Sequence, residues 1–358
     1  MKVPYAGSKG KLVWLDETDP MRVQDNALNG VAFISGRKRQ SSRRRNTKDD
    51  VLLGSGVIMS HEQRGIMFPY FVTARHVVDN IIAEAESYPG GLWVHFNDNR
   101  GRPHRASVPA IYGNGYWEHH PDEKVDLAIT PLREYIVKPT LKGISHVPSH
   151  MLIRDEQFHK NGIGVGDEVF VVGLFHFVTG ETKNTPIVRV GNLAMIPDDR
   201  IYTGDRGFVE AYLVDIRSIG GLSGSPVFVR ESIRVTPENS SPQRWMSGNF
   251  YMLGIMHGSW YIDPKTLHSL QPTTVSHEDL GLNVGVAVVV PARKVRDLIM
   301  EGPMKKERDE YCAGVDERNG NNSPIPLNRK VSAVFQVPKD AVDKLDTKKA
   351  KPSRKKSK

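Results

Sequence analysis

Short apolar runs separated by turn-forming residues dominate the chain. Eleven runs of strand length are rich in Val, Ile, Phe and Tyr, and Gly, Pro and Asn stand between them. They span 31–34, 54–59, 67–73, 92–96, 127–130, 169–174, 187–195, 209–214, 226–229, 251–256 and 284–290. This spacing is typical of an all-β barrel or sandwich. The chain is therefore predicted to be all-β.

Helical patterning is scarce by comparison. Residues 77–87 are compatible with a short helix, and 291–301 form the better candidate. In the second segment Val295, Leu298 and Ile299 follow the i, i+3, i+4 spacing of one helix face, and a Gly-Pro pair ends the pattern. One C-terminal helix after the strands is the prediction.

The apolar pattern weakens over 140–166, which divides the strands into two sets. We expect a first barrel over about 28–140 and a second over about 165–301. Residues 1–27 are predicted to be an N-terminal extension, and 302–358 a polar, basic tail.

The net charge of +8 is concentrated in two segments. Residues 36–50 carry seven Lys or Arg and two acids (+5), and 348–358 carry seven Lys or Arg and no acid (+7), which leaves −4 for the rest. Solvated flexible segments are the simplest interpretation. A weak contact of 37–48 and 348–358 with nucleic acid or another acidic surface is the alternative, and the absence of aromatic residues there argues against base stacking.

The single cysteine, Cys312, excludes an internal disulfide and favours a reducing compartment. The first 15 residues contain no apolar run of signal-peptide length, and the most apolar stretch, 284–290, is far too short to span a membrane. A cytoplasmic protein without a transmembrane segment is predicted. The chain also has no Cys/His metal-ligand spacing and no phosphate-binding glycine motif, so we expect no metal or organic cofactor.

A Gly- and Ser-rich loop over 220–228 is the strongest chemical signal. A nucleophilic serine needs an exposed Oγ and nearby backbone N–H groups that stabilise an oxyanion. Adjacent glycines allow positive φ, which turns the N–H groups of Gly221 and Ser223 toward one point. Pro226 then begins a strand. Ser223 is therefore a candidate nucleophile, although a plain Gly/Ser turn has the same composition.

Two further segments supply a base and an acid. His76 follows directly on an apolar strand that ends in Thr-Ala-Arg, where an imidazole can act as general base and then general acid. Asp126 stands immediately before the apolar run that begins at Leu127, a position from which a carboxylate can orient an imidazole. Asp122 competes with Asp126, but it follows a proline in a polar loop, so we prefer Asp126.

The order of the three residues along the chain separates the known triad arrangements. The order here is His76, Asp126, Ser223. An α/β-hydrolase runs Ser, Asp, His with a Gly-x-Ser-x-Gly motif, whereas here the last motif position is Ser225. Subtilisin-like enzymes begin with Asp. Only an arrangement of the His, Asp, Ser type fits.

These segments resemble the motifs of trypsin-like serine peptidases. Residues 73–76 resemble their Thr-Ala-x-His box, 125–129 their Asp-Leu-Ala strand and 221–226 their Gly-x-Ser-Gly-(Gly/Ser)-Pro loop. Residues 54–58 are similar to the Gly-Ser-Gly strand ahead of the histidine box, and 283–287 to the end of Deg-type protease domains. The chain resembles bacterial Deg-type and glutamyl-endopeptidase-like members most closely, without a PDZ domain.

The resemblance implies two antiparallel six-stranded β-barrels of the chymotrypsin-like kind with a C-terminal helix. It implies a serine endopeptidase that acts on polypeptides, with His76, Asp126 and Ser223 as catalytic triad. The N–H groups of Gly221 and Ser223 would form the oxyanion hole. Residues 254–258, including Gly254 and Met256, would pair with the substrate backbone.

Two alternatives use the same fold differently. The first is a catalytically inactive binding module whose basic loop and tail hold nucleic acid or an acidic partner; the intact set of three groups argues against it. The second is an esterase or acyltransferase, because the same oxyanion chemistry serves esters.

Two departures from the family concern activation and specificity. Leu222 stands where trypsin has an Asp that pairs with a freed N-terminus, so activation by that ion pair is not expected. Glutamyl endopeptidases have Gly-Ile-His in the strand where this chain has Gly-Ile-Met-His, so His257 lies one residue further along. A one-residue slip turns a side chain to the opposite face. A preference for acidic residues through Arg217 or His257 is therefore an open hypothesis.

Overall fold

The computed structural model describes residues 3–6, 12–15, 28–37, 50–88, 91–98, 100–113, 116–136, 144–173, 183–203, 206–216, 222–230, 250–262 and 282–320. The basic segments 37–48 and 348–358 lie outside these ranges, apart from residue 37 at a strand end.

Strands account for most of the regular structure. They are β1 (Val3–Ala6), β2 (Leu12–Leu15), β3 (Val31–Arg37), β4 (Asp50–Gln63), β5 (Ile66–Thr73), β6 (Leu92–Asn97), β7 (Pro103–Val108), β8 (Glu118–His119), β9 (Ala128–Pro131), β10 (Val147–Pro148), β11 (Glu168–Gly173), β12 (Ile187–Met195), β13 (Ile201–Thr203), β14 (Gly207–Val209), β15 (Tyr212–Asp215), β16 (Pro226–Arg230), β17 (Phe250–Ile262) and β18 (Leu282–Pro291).

The helices are few and mostly short. They are α1 (Arg75–Ala83), α2 (Asp155–Asn161), α3 (Ala292–Met300) and α4 (Gly302–Gly320), with single 3₁₀ turns at Ala85–Ser87, Arg133–Tyr135 and Ser149–Met151. No helix among the described residues is long and apolar enough to cross a membrane.

The second half of the strand set forms a closed six-stranded barrel, in the order β11-β12-β15-β18-β17-β16. All of its neighbouring strands are antiparallel. Its strands are rich in buried valine, as at Val169, Val214, Val227 and Val289. Such β-branched side chains pack well on a pleated surface. The predicted all-β class is confirmed, with one closed six-stranded barrel among the described residues.

The first half forms an eight-stranded sheet in the order β7-β6-β3-β4-β5-β9-β8, with β10 paired to β4. Its core contains the fully buried Trp117, which packs edge-on against Phe71 at a centroid distance of 6.0 Å. The indole N–H of Trp117 donates to Pro109 O at 2.9 Å, so the polar end of the ring is satisfied. Among the described residues no pair joins the two end strands β7 and β8, so a closed first barrel is not observed.

A long helix occupies the start of the segment assigned from sequence to the tail. The chain divides into a compact unit over Met1–Arg308 and a second unit over Asp309–Lys358, and α4 begins in the first of these. Within the first unit, Glu307 forms two hydrogen bonds with the Arg133 guanidinium, at 2.8 and 2.9 Å. The first turns of α4 are therefore anchored to the region that follows β9.

Arg308 is an unusual core residue, because its side chain is only 2% exposed. Its guanidinium donates to Gln63 Oε1 at 3.0 Å, to the Tyr70 hydroxyl at 3.0 Å and to Ile299 O at 2.6 Å. Burial raises the pKa of Tyr70 to about 12, against the opposing charge of Arg308, so the phenol stays protonated and can accept. Arg308 thus ties α3 and α4 to β4 and β5.

Replacing Arg308 with methionine is expected to lower the free energy of unfolding by about 2–4 kcal/mol, because three acceptors, two of them in buried hydrogen bonds, lose a charged donor at once. Urea unfolding followed by circular dichroism measures the change. Arg100→Met, at an exposed side chain, serves as the control and should change stability by less than about 0.5 kcal/mol. An Arg308→Met protein as stable as the wild type would contradict the anchoring role.

Candidate active site

Strand pairing brings the candidate base and acid together. In the β5–β9 pair, Thr73 at the end of one strand lies opposite Ala128 at the start of the other. His76 follows Thr73 by three residues, and Asp126 precedes Ala128 by two. The local sequence around each residue therefore delivers the imidazole and the carboxylate to the same end of the sheet.

Asp126 accepts two hydrogen bonds from His76. The His76 ring donates from Nδ1 to Asp126 Oδ2 at 2.7 Å, and the backbone N–H of His76 donates to Oδ1 at 2.9 Å. His76 lies in the first turn of α1, where backbone N–H groups lack intrahelical acceptors. Ala74, the N-cap residue of the helix, offers no side-chain cap. Asp126 therefore caps α1 as well as orienting the ring.

Two residues from the second half of the chain also donate to Asp126. His257 on β17 directs Nδ1 to Oδ2 at 2.5 Å. Arg206, between β13 and β14, directs Nη2 to Oδ1 at 2.8 Å. The His76 and His257 rings meet edge-on, with centroids 5.6 Å apart. No sequence motif surrounds Arg206, which lies 80 residues from its partner, so the sequence does not single it out.

The Asp126 carboxylate is held in its ionised form. Its side chain is only 1% exposed, and burial alone would raise its pKa. The hydrogen bonds and charges of His257 and His76 outweigh that effect and hold the pKa of Asp126 well below its usual range. The His76 side chain is one-third exposed, so one edge of its ring remains open to the surface.

The candidate nucleophile lies in a tight turn held between the two halves. Ser225 N–H donates to Leu222 O at 3.0 Å, and Gly224 has a φ of +83°. This is the pattern of a type II turn, with the half-buried Ser223 at its corner. Ser55 N–H on β4 donates to Ser223 O at 3.3 Å, and Gly224 N–H donates to Met256 O on β17 at 2.8 Å. The turn is thus fixed from both sides.

Ser223 and His76 face the same cleft. Its volume is about 290 Å³. Its walls come from β4, α1, the segment that follows α1 and the turn that holds Ser223, namely Leu53, Gly54, His76, Val77, Asn80, Ile81, Glu84, Tyr88 and Ser223. The cleft gives a substrate group access to the serine and the imidazole together.

The expected substrate-pairing segment 254–258 lies within β17. Gly254 pairs with Val227 on one side and with Pro291 on the other, so both edges of β17 are occupied there. Met256 is fully buried, and its backbone N–H donates to Ser225 O at 2.9 Å. Among the described residues, the pairing of β17 with β16 ends at residue 255. Gly254 is therefore paired on both edges, and the backbone of Met256 supports the nucleophile turn.

Three other predicted site residues are His257, which the structure describes, and Gly221 and Arg217, which it does not. His257 directs its Nδ1 at Asp126, which removes that nitrogen from the proposed recognition of an acidic substrate side chain. Gly221 and Arg217 lie outside the described residues, so their assignment to the oxyanion hole and to substrate recognition stays a prediction.

One group of side chains in the described part of the chain has the composition of a metal site. His76, Asp126 and His257 each offer a ligand atom, and these atoms lie within 4.8 Å of one another. The Nδ1 atoms of both rings lie at hydrogen-bond distance from the same carboxylate oxygen. A metal ligand must instead direct a lone pair at the cation. The contacts are those of a hydrogen-bonded cluster.

Comparison with known proteins gives matches at the level of structure only. No protein-family model and no curated protein matches the chain. The MamO protease domain from Magnetospirillum magneticum, in its apo form, is 14% identical, with a TM-score of 0.40 over 77% of this chain and 99% of that chain. An inactive mutant form of Rv3671c from M. tuberculosis is 14% identical, with a TM-score of 0.35 over 75% and 85%. Deg5 is 14% identical, with a TM-score of 0.40 over 76% and 89%. Likeness of this degree carries no inference about what the chain binds or cleaves.

Proposed function

We propose that the protein is a serine endopeptidase with His76, Asp126 and Ser223 as its catalytic triad. The observation that carries the proposal is the 2.7 Å hydrogen bond from His76 Nδ1 to the buried Asp126, with His76 and Ser223 facing one cleft. A carboxylate on Nδ1 holds the ring proton there, which leaves Nε2 as a proton acceptor for the serine hydroxyl. No metal or organic cofactor is needed for this chemistry.

The acylation step starts at Ser223. Its Oγ attacks the carbonyl carbon of the scissile peptide bond while His76 Nε2 takes the hydroxyl proton. The resulting oxyanion is stabilised by backbone N–H groups, for which Gly221 and Ser223 are the candidates. When the C–N bond breaks, the imidazolium of His76 gives its proton to the leaving amine. Asp126 stays ionised throughout and stabilises the imidazolium.

Deacylation repeats the same proton transfers with water. His76 takes a proton from the water as its oxygen attacks the acyl carbon, and returns a proton to Ser223 Oγ when the ester bond breaks. The products are a carboxylic acid and the regenerated serine.

A polypeptide substrate is expected to bind in extended form beside β17. Strand addition supplies backbone hydrogen bonds to an extended peptide. The pairing of β17 with β16 ends at residue 255, so we place this addition at Gly258 and beyond.

Reaction with a fluorophosphonate probe tests the proposal, because such probes phosphonylate only a serine activated by its base. The wild-type protein is expected to be labelled at Ser223, as mapped by mass spectrometry of the digested protein. Ser223→Ala should not be labelled. Ser225→Ala is the matched control, since Ser225 lies in the same turn but is fully buried, and it should be labelled like the wild type.

Hydrolysis of an unstructured protein substrate completes the test. Labelling at Ser223 together with cleavage of casein peptide bonds supports the endopeptidase. Labelling with hydrolysis of esters but not of peptides would assign the triad to an esterase. An unlabelled wild-type protein would refute the triad and favour an inactive binding module.

A further inference from the structure

The two oxygens of Asp126 receive four hydrogen bonds in a regular division. Oδ1 accepts from the backbone N–H of His76 and from Arg206, and Oδ2 accepts from the rings of His76 and His257. Each oxygen therefore takes one bond from His76 at the start of α1 and one from the second half of the chain. A carboxylate offers about four lone-pair sites, so these donors use its accepting capacity.

A β-bulge aims His257 at this carboxylate. In the β17–β18 pair, Met256 lies opposite Val289 and Gly258 lies opposite Val288. His257 is thus the extra residue on β17. A bulge of this kind redirects a side chain and is frequent beside active sites. The same bulge follows directly on Met256, whose backbone holds the nucleophile turn through Gly224 and Ser225.

The geometry points to His257 as a positioning residue for the proposed peptidase reaction. We infer that its Nδ1–H bond fixes Asp126 against rotation and so keeps the carboxylate aligned with the His76 ring. The inference rests on the proposed function, since alignment matters to catalysis only if His76 is the base. His257 does not touch the reacting atoms in this scheme; it acts through Asp126.

Two features distinguish this role from simple packing. The contact is a hydrogen bond from a ring nitrogen to a buried anion, which is stronger and more directional than a neutral bond. It also joins the strand that supports the nucleophile turn to the carboxylate that orients the base. Arg206 adds a second bond from the same half of the chain, at Oδ1, but its charge also offsets that of Asp126.

The test compares two substitutions of His257 that differ in hydrogen bonding. In His257→Asn, the side-chain amide places an N–H donor where Nδ1 stands, whereas His257→Leu removes the donor. With a fluorogenic peptide, His257→Leu should lower kcat by about 10- to 100-fold, the effect of losing one hydrogen bond to a charged group. Its KM should stay within about twofold, and the kcat of His257→Asn should stay within about threefold of wild type, since only alignment of the triad depends on this donor.

His146→Leu is the control for loss of a partly buried histidine. The His146 ring donates to the backbone oxygen of Ile144, and no contact with Asp126 is recorded for it among the described residues. Its kcat should match that of the wild type. A His257→Leu protein with wild-type kcat would overturn the inference. So would a His257→Asn protein as slow as His257→Leu, since the donor would then be irrelevant.

Proton NMR separates failure of this inference from failure of the proposed function. Strong N–H to carboxylate bonds give strongly downfield imidazole proton signals, and Ser223→Ala protein should show two, one from each ring. Adding His257→Asn should remove one signal, and adding Asp126→Ala should remove both. If the wild-type protein is inactive while both signals are present, the proposed function fails and the positioning role fails with it, although the contact itself is real. If the wild-type protein is active and His257→Asn leaves both signals, only the inference fails.

Discussion

Replacing Asp126 with asparagine is expected to lower kcat/KM for peptide hydrolysis on the order of 10⁴-fold. An amide that presents its NH₂ group to His76 Nδ1 forces that nitrogen to accept, which moves the ring proton to Nε2. Nε2 can then no longer take the proton of the Ser223 hydroxyl. The change is nearly isosteric, so the loss reports the tautomer of the base and not the shape of the site.

The four donors around Asp126 increase the loss of activity that is expected from the asparagine substitution. The amide has a single acceptor oxygen, so at least two of the four donors lose their partner. Steady-state kinetics and the rate of fluorophosphonate labelling should fall together, while circular dichroism checks that the protein is folded.

Asp122→Asn is the matched control for loss of a nearby acid. Asp122 accepts from the backbone N–H of Lys124 at 3.0 Å in an exposed turn, a bond that the asparagine oxygen also accepts. Its kcat/KM should stay within about twofold of wild type, as for most surface changes. If Asp122→Asn lost as much activity as Asp126→Asn, or if the latter kept more than a tenth, the assignment of the acid would be wrong.

The relation of His76 to Asp126 was predictable because each residue belongs to a local pattern. One follows the apolar run that becomes β5 and the other precedes the run that becomes β9, and these strands are antiparallel neighbours. Knowledge of chain order and strand adjacency is enough to bring the two together.

The contacts of Asp126 with the second half were not predictable in the same way. His257 reaches the carboxylate through a bulge, and the register of a bulge leaves no mark in the alternation of apolar and polar residues. Arg206 lies between two three-residue strands, β13 and β14, that carry no clear periodicity. Long-range register, and not local sequence, places both side chains.

The helix α4 was not predicted from the sequence for a different reason. Its sequence is mostly polar, so the pattern indicated a tail. What anchors its first turns are the two bonds between Glu307 and Arg133 and the buried guanidinium of Arg308. Ion pairs and hydrogen bonds of single residues do not produce a periodic signal.

Replacing Gly224 with alanine is expected to damage both activity and stability. Gly224 has a φ of +83°, a conformation that costs an alanine about 1–2 kcal/mol. A Cβ there would also overlap the Ser55 backbone oxygen and the Thr73 hydroxyl oxygen, and would lie 3.1 Å from Ala74 N. These atoms are part of β4 and of the segment leading to His76, and Thr73 already donates to Ser55 O at 2.6 Å. They have little room to move.

The nucleophile turn must therefore shift when Gly224 carries a side chain. Because Ser223 is the neighbouring residue, a displacement of about 1 Å moves its Oγ out of line with His76 and is expected to lower kcat/KM about 10²-fold or more. The free energy of unfolding should fall by about 2–5 kcal/mol, from strain and overpacking together.

Gly101→Ala separates backbone strain from overpacking, because Gly101 has a φ of +74° but open space around its Cβ position. It should lose about 1–2 kcal/mol and keep full activity. A Gly224→Ala enzyme that behaves like Gly101→Ala would show that the contact of the turn with Ser55 and Thr73 does not position the nucleophile.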